Sequence, residues 1–152
     1  YNKKKVLAIF GNPELSITKK REAAFKKVVE RGDPKMKLYI EHCPNSVAAE
    51  QTVLEYCTEK KADTVFAMSD EILIGVMKGL YKLDVAIPKE VSVLAISTGF
   101  LPQLFKPRIT YIETSGYELG KLAMKSMTDY LEGQTFSGSI LLPSRLVEGD
   151  SL

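Results

Sequence analysis

The sequence predicts an α/β protein: a three-layer α/β/α arrangement around a mainly parallel sheet. Two observations carry this. Short apolar runs alternate along the chain with longer segments of helical period, the pattern of successive βαβ units. The runs are also near-continuously apolar, as strands covered on both faces must be.

KVLAIF (5–10) is the first such run and stops at the turn signal Gly11-Asn12-Pro13. From 16 to 31 the rhythm changes. Ala23, Ala24, Phe25, Val28 and Val29 recur at helical spacing among Lys and Glu, Ser16 or Thr18 offers a cap, and Gly32-Asp33-Pro34 supplies the stop. MKLYIEH (36–42) reads as the second strand. Asn45 or Ser46 then opens a helix to about residue 61, with Val47, Ala48, Val53, Leu54 and Cys57 inward. DTVFAM (63–68) is the third strand and SDEILIGVMKGLYKL (69–83) the third helix, with Ile72, Val76, Met77, Leu80 and Leu83 on its inner face. At the junction, Ser69 or Asp70 can accept a hydrogen bond from a free N–H of the first turn. Asp70 and Glu71 also complement the positive end of the helix dipole.

VSVLAIS (91–97), introduced by Ile87-Pro88, is the fourth strand. After it TGFLPQLFKPR (98–108) holds two prolines and no clear period, and RITYIE (108–113) is short but strand-like. GYELGKLAMKSMTDYLEG (116–133) is a helix ended by Gly133. Its apolar residues lie on two sides: Leu119, Leu122, Ala123, Met127 and Tyr130 on one, Tyr117, Met124 and Leu131 on the other. Such a helix wants neighbours on more than one side. SILLPSRLVEGDSL (139–152) contributes a last strand that Pro143 directs toward an edge.

At 152 residues the chain fits one domain with a real core. Its composition, 45% apolar and 26% charged, is that of an ordinary globular protein. No apolar run approaches the ~20 residues of a membrane span, so no membrane partner is expected. YNKKK leads straight into a strand, with no visible signal peptide. The net charge of +2 is small, and the basic cluster Lys19, Lys20, Arg21, Lys26 and Lys27 is interrupted by Glu22 and Glu30. It reads as a solvated helix face, since a nucleic-acid surface needs a broader patch. Cys43 and Cys57 lack CxxC spacing and the chain holds one histidine, which leaves little room for a zinc site. Two free thiols in a cytosolic protein is the simpler reading.

Ligands of an open parallel sheet bind outside the carboxyl ends of its strands. Those ends are Gly11-Asn12, His42-Cys43, Ser69-Asp70 and Ser97-Thr98, small or polar in every case, which suits a polar small molecule. Asp70 has two readings at this level, helix cap and ligand contact. His42 reads as a strand end, and one histidine assembles no persuasive Ser/His/Asp set. There is neither GxGxxG nor P-loop, so no nucleotide cofactor is expected. Paired carboxylates are not evident either. Binding without catalysis is the favoured class.

VFAMSDEILIGVMKGLYKLDVAIPKEVSVLAIS (65–97) resembles the lactose/galactose repressor (LacI/GalR) family of transcriptional regulators. Ser69-Asp70 stands where that family usually has Asn-Asp, and Gly75, Leu80, Ile87-Pro88, Glu90 and Val91-Ser92-Val93 match in register. REAAF (21–25), KPRITYIE (106–113), Leu119-Gly120 and PSRLVEGDSL (143–152) extend the likeness over nearly the whole chain. The resemblance implies one lobe of a two-lobed, periplasmic-binding-protein-like (type I) effector domain. Residues 1–112 and 139–152 would form the C-terminal lobe. Residues 113–138 would form a crossover helix that packs on an N-terminal lobe preceding residue 1, itself preceded by a helix-turn-helix for operator DNA. It further implies a small-molecule effector, a homodimer, a cytoplasmic location and an excised fragment here. Carried over position by position, its ligand contacts fall on Arg21, Ser69, Ser97, near Cys43 and near Thr114, with Asp70 as part of one cleft wall. Ser69 and Ser97 replace the family's Asn and Asp, Ala24 its Gly and Gly149 its late Arg. Those losses leave an anionic effector as open as a simple sugar. The rival readings are a periplasmic solute-binding protein of a transporter, a dimerisation scaffold, and a flavodoxin-like enzyme or response regulator. For the last, the strand ends offer Gly11, Cys43 and Ser97 where a phosphoacceptor Asp is needed.

Overall fold

The computed structural model describes residues 3–135 and 138–152. Two positions of the expected crossover segment, 136 and 137, lie outside the described residues, as do 1 and 2. The elements run β1 (Lys5–Phe10), α1 (Ser16–Arg31), β2 (Lys37–His42), α2 (Ser46–Thr58), β3 (Thr64–Ala67), α3 (Asp70–Lys82), β4 (Ser92–Ser97), a 3₁₀ turn (Leu101–Leu104), β5 (Thr110–Glu113), α4 (Gly116–Leu131) and β6 (Arg145–Val147). The strand order is β2-β1-β3-β4-β5-β6. β1 to β5 pair in parallel and β6 closes the far edge antiparallel, with Glu113 opposite Arg145.

Successive residues of each strand serve opposite faces. Leu7, Ile9, Val65, Ala67, Val93 and Ala95 pack with Ala49 and Val53 of α2 and with Ile72, Leu73, Val76, Met77 and Leu80 of α3. Ala8, Phe10, Phe66 and Met68 face the other way, where Phe25 of α1, Leu38 and Ile40 cover them. The Phe25 and Phe66 ring centroids lie 4.7 Å apart. The expected three layers are present.

Two helices differ in detail from the expectation. On α1, Ala23, Ala24 and Val28 are exposed. The inward stripe is instead Thr18, Glu22, Phe25 and Val29, spaced four, three and four, in which only Thr18 is fully buried. Neither Ser16 nor Thr18 caps the helix; Leu15 occupies that position with no side-chain cap. On α2 the cap is Asn45, whose side chain accepts from the Ala48 N–H. Val47 points outward at 64% exposure, while Ala49 and Glu50 are buried; the Glu50 carboxylate meets Lys82 of α3 in an ion pair.

α2 and α3 pack backbone to backbone. A Cβ on Gly75 would lie 2.1 Å from the Ser46 carbonyl oxygen and 2.7 Å from the Ala49 Cβ; one on Gly79 would lie 2.9 Å from a Val53 methyl. The end of the chain is held as closely. The Ser151 hydroxyl donates to the Val93 carbonyl (2.6 Å) and accepts the Thr110 N–H (2.8 Å), so it bridges β4 and β5. A Cβ on Gly149 would meet the Arg108 carbonyl oxygen at 2.4 Å.

α4 buries none of its residues. Tyr117, Leu119, Met124, Met127, Tyr130 and Leu131 are all more than half exposed.

Gly75→Ala is expected to lower stability by about 3 kcal/mol, because overpacking forces two helices apart. Gly120→Ala on α4, where a Cβ meets nothing within 4 Å, is expected to be neutral or stabilising by up to about 1 kcal/mol. Urea unfolding of both variants checks the contrast.

Candidate functional site

The βαβ connections place the carboxyl ends of β3 and β4, the first turn of α3 and one side of α1 around a common recess. It measures about 110 Å³ and is lined by Arg21, Met68, Ser69, Asp70, Ile96, Ser97, Thr98 and Thr114. A second recess of about 240 Å³ shares Arg21 and Thr114 and continues to Ser115, Gly116, Leu119 and the returning residues Leu142, Pro143 and Ser144. Each is smaller than the roughly 300–1,000 Å³ of a complete small-molecule pocket. A wider hollow of about 580 Å³ lies between the start of α4 and β6, walled by Glu113, Glu118 and Arg145. There the Arg145 Nε donates to the Glu113 carboxylate at 2.5 Å.

Arg21, Ser69, Asp70, Ser97 and Thr114, predicted as site residues, therefore come together. Cys43 does not. Its side chain is buried in the core and its sulfur lies 3.3 Å from the Thr52 hydroxyl. Burial pushes its thiol above the ordinary range. Carried to an uncertain register from a distant family, that position falls one residue past the end of β2, where the chain has turned inward. His42 ends β2 as expected and pairs with Glu22 at 2.8 Å. Glu22, bonded also to Lys26, is held below the usual carboxylate range, first by Lys26 and then by His42.

The two readings of Asp70 resolve through its neighbour. Ser69 is the cap: its Oγ accepts the Ile72 N–H at 3.3 Å. That leaves Asp70 free to reach across to β4. Ser97 donates its hydroxyl to Asp70 Oδ1 at 2.5 Å, and the Thr98 N–H and hydroxyl donate to Oδ2 at 3.2 and 3.0 Å. The Gly99 N–H in turn donates to Ser97 Oγ (3.0 Å), and the Thr114 N–H to the Ser97 carbonyl (3.0 Å). Asp70 and Ser97 are thus engaged with each other.

Arg21 is differently placed. It reaches from α1 over the end of β3, where Nη1 donates to the Met68 carbonyl at a long 3.4 Å. Burial pushes its guanidinium down from its ordinary value. Among the described residues no carboxylate is paired with it. Thr98 was legible as the residue after a strand end, though its hold on Asp70 was not. The residues 142–144 carried no local signal, because only the return of the chain to β6 brings them near Arg21.

These features define an α/β domain with a polar recess at the carboxyl edge of its sheet and a helix beside it that buries none of its residues. The sequence profile of the periplasmic binding protein-like domain matches residues 3–152, and the chain belongs to that family. The chain is 25% identical over 103 residues to catabolite control protein A of Priestia megaterium, covering 67% of this chain and 30% of that protein. It is 29% identical over 93 residues to the HTH-type transcriptional regulator RegA of Clostridium saccharobutylicum, covering 60% of this chain and 28% of that one. The matched stretches therefore amount to under a third of those relatives' length. Among solved structures, a LacI family transcriptional regulator from Arthrobacter sp. FB24 in complex with lactose superposes with a TM-score of 0.83 at 18% identity, over 99% of this chain and 58% of that one. The shared fold is the type I one expected from the sequence.

Asp70→Ala is expected to cost about 2–3 kcal/mol by stranding Ser97 and Thr98, and Ser69→Ala about 1 kcal/mol as a lost cap. In double-mutant cycles Asp70 and Ser97 should couple by at least about 1 kcal/mol, whereas Ser69 and Ser97 should be additive. Equilibrium unfolding of the variants checks both.

Proposed function

We propose that the chain is the C-terminal lobe of the effector-sensing domain of a LacI-family transcriptional regulator. In this reading residues 1–112 and 139–152 form the lobe and residues 113–138 the crossover helix that packs on an N-terminal lobe. The observation that carries it is the joint placement of Arg21, Ser69 and Thr114 in a half-sized recess beside an α4 that buries nothing. A second lobe would complete the recess and cover α4 at once. The regulator names of the relatives support this over a transporter's solute-binding protein.

The effector is a sugar or related small molecule, as the lactose-bound relative suggests. Control of operator DNA follows by population shift. Effector held between the lobes favours one hinge angle, and a homodimer passes that angle to two helix-turn-helix heads. The effector must bind the two angles with different affinity to do so. Tyr81, Phe100 and Leu104, exposed on α3 and the β4–β5 connection, offer apolar surface for the second protomer. A DNA-binding regulator works in the cytoplasm, and among the described residues no helix is long and apolar enough to cross a membrane. The proposed activity is binding rather than catalysis.

Two measurements test the reading. Gel-shift titration of the complete gene product with its own promoter region should give an affinity that changes with effector. A gene product that leaves that DNA unshifted at every effector level would refute it. The 152-residue chain alone should self-associate through α4 in sedimentation velocity, and Leu119→Glu with Met127→Glu should remove that association while leaving any dimer made through Tyr81, Phe100 and Leu104.

A further inference from the structure

We infer that the effector presents an anionic oxygen group, phosphoryl or carboxylate, to Arg21. This rests on the reading of the recess as the effector site and adds the charge of what enters it.

Three observations carry the inference. The first is an unmatched cation. Arg108 and Arg145 are largely exposed, yet each has its own carboxylate, Asp150 and Glu113. Arg21 is more buried than either and has only the distant Met68 carbonyl. A guanidinium offers five N–H donors in a flat fork, so most of its capacity has no partner among the described residues. A partly desolvated charge without a counter-ion is costly, and a ligand that supplies one recovers that cost as affinity.

The second is the state of the recess's one carboxylate. A neutral polyol is held by donating its hydroxyl protons to acceptors while taking bonds from donors. Asp70 accepts from Ser97 and twice from Thr98, and Ser97 Oγ already accepts from Gly99. The acceptors that would grip adjacent hydroxyls are turned toward β4. The third is what remains. Ser69 accepts the Ile72 N–H, so its own proton is available to donate, and Thr114, which carries a second hydroxyl, lines both recesses with Arg21. A guanidinium with two hydroxyl donors matches a group made only of acceptor oxygens.

The test uses the complete gene product and simple probes. Thermal unfolding is followed in inorganic phosphate, in acetate and in chloride at matched ionic strength, and separately with a panel of neutral mono- and disaccharides. Phosphate or acetate in the tens of millimolar should raise the midpoint above chloride by roughly 2–4 °C. The rise should vanish in Arg21→Ala and in Arg21→Gln, the second keeping length and some donors if the first folds poorly. A response to phosphate alone identifies a phosphoryl group, and a response to acetate a carboxylate. General salt stabilisation would appear equally in the variants and would overturn the inference, as would silence of both anions. If a neutral sugar raises the midpoint in an Arg21-dependent way while both anions are silent, the anionic effector fails and the effector recess stands.

Discussion

The bond network around Asp70 is the constraint on which the site depends. It joins the first residue of α3 to the last of β4 and, through Ser97, to the start of the segment after β5. Three separate pieces of backbone that meet only at the carboxyl edge of the sheet are thereby fixed in one geometry. It is a charge-assisted network at the rim, stronger than neutral bonds of the same number. The buried contact of Gly75 with Ser46 sets the pose of α3 from below. Between them they hold the first residue of α3 against the end of β4 and its middle against α2.

Much of this was readable in the chain because burial on two faces leaves a plain record. The parallel strands at 5–10, 63–68 and 91–97 are near-continuous apolar runs, while MKLYIEH (36–42) mixes in Lys, Glu and His because β2 is an edge strand with exposed ends. The strand-end rule then located the recess without any structure. Helix faces were less legible. Ala23, Ala24 and Val28 are apolar but small or marginal, and they do not mark the inward side of α1. The stripe that packs includes Thr18 and Glu22, whose polarity hid it. The cap and bridge roles of Ser69 and Asp70 could not be divided from sequence, since both side chains suit both roles. What decides is the presence of Ser97 and Thr98 on a strand 27 residues later. Cys43 lies apart from the other predicted residues because its register was borrowed, and one step past the end of β2 its side chain is in the core.

The recess and α4 have one origin. β5 and β6 are the two passages of the chain through this edge of the sheet, joined at their last rung by Glu113 and Arg145. Between β5 and β6 in the chain comes α4, which buries none of its residues. The residues that add most to the second recess, Ser115 to Leu119 and Leu142 to Ser144, come from the segments just after β5 and just before β6. Any rotation about this edge therefore changes the recess directly, with Arg21 as the fixed side.

The stitch made by Ser151 has a consequence for how such a lobe comes into being. Val93 and Thr110 wait on a hydroxyl that lies beyond α4 in the chain. A ribosome delivers β1 to β5 first, then α4, and only then β6 and the serine that closes β4 to β5. β4 and β5 can pair before that, but the Val93 carbonyl and the Thr110 N–H lack this hydroxyl until α4 has been made. α4 is thus made before the residue that completes these bonds, and the order of translation sets the last hydrogen bonds of the sheet after the helix.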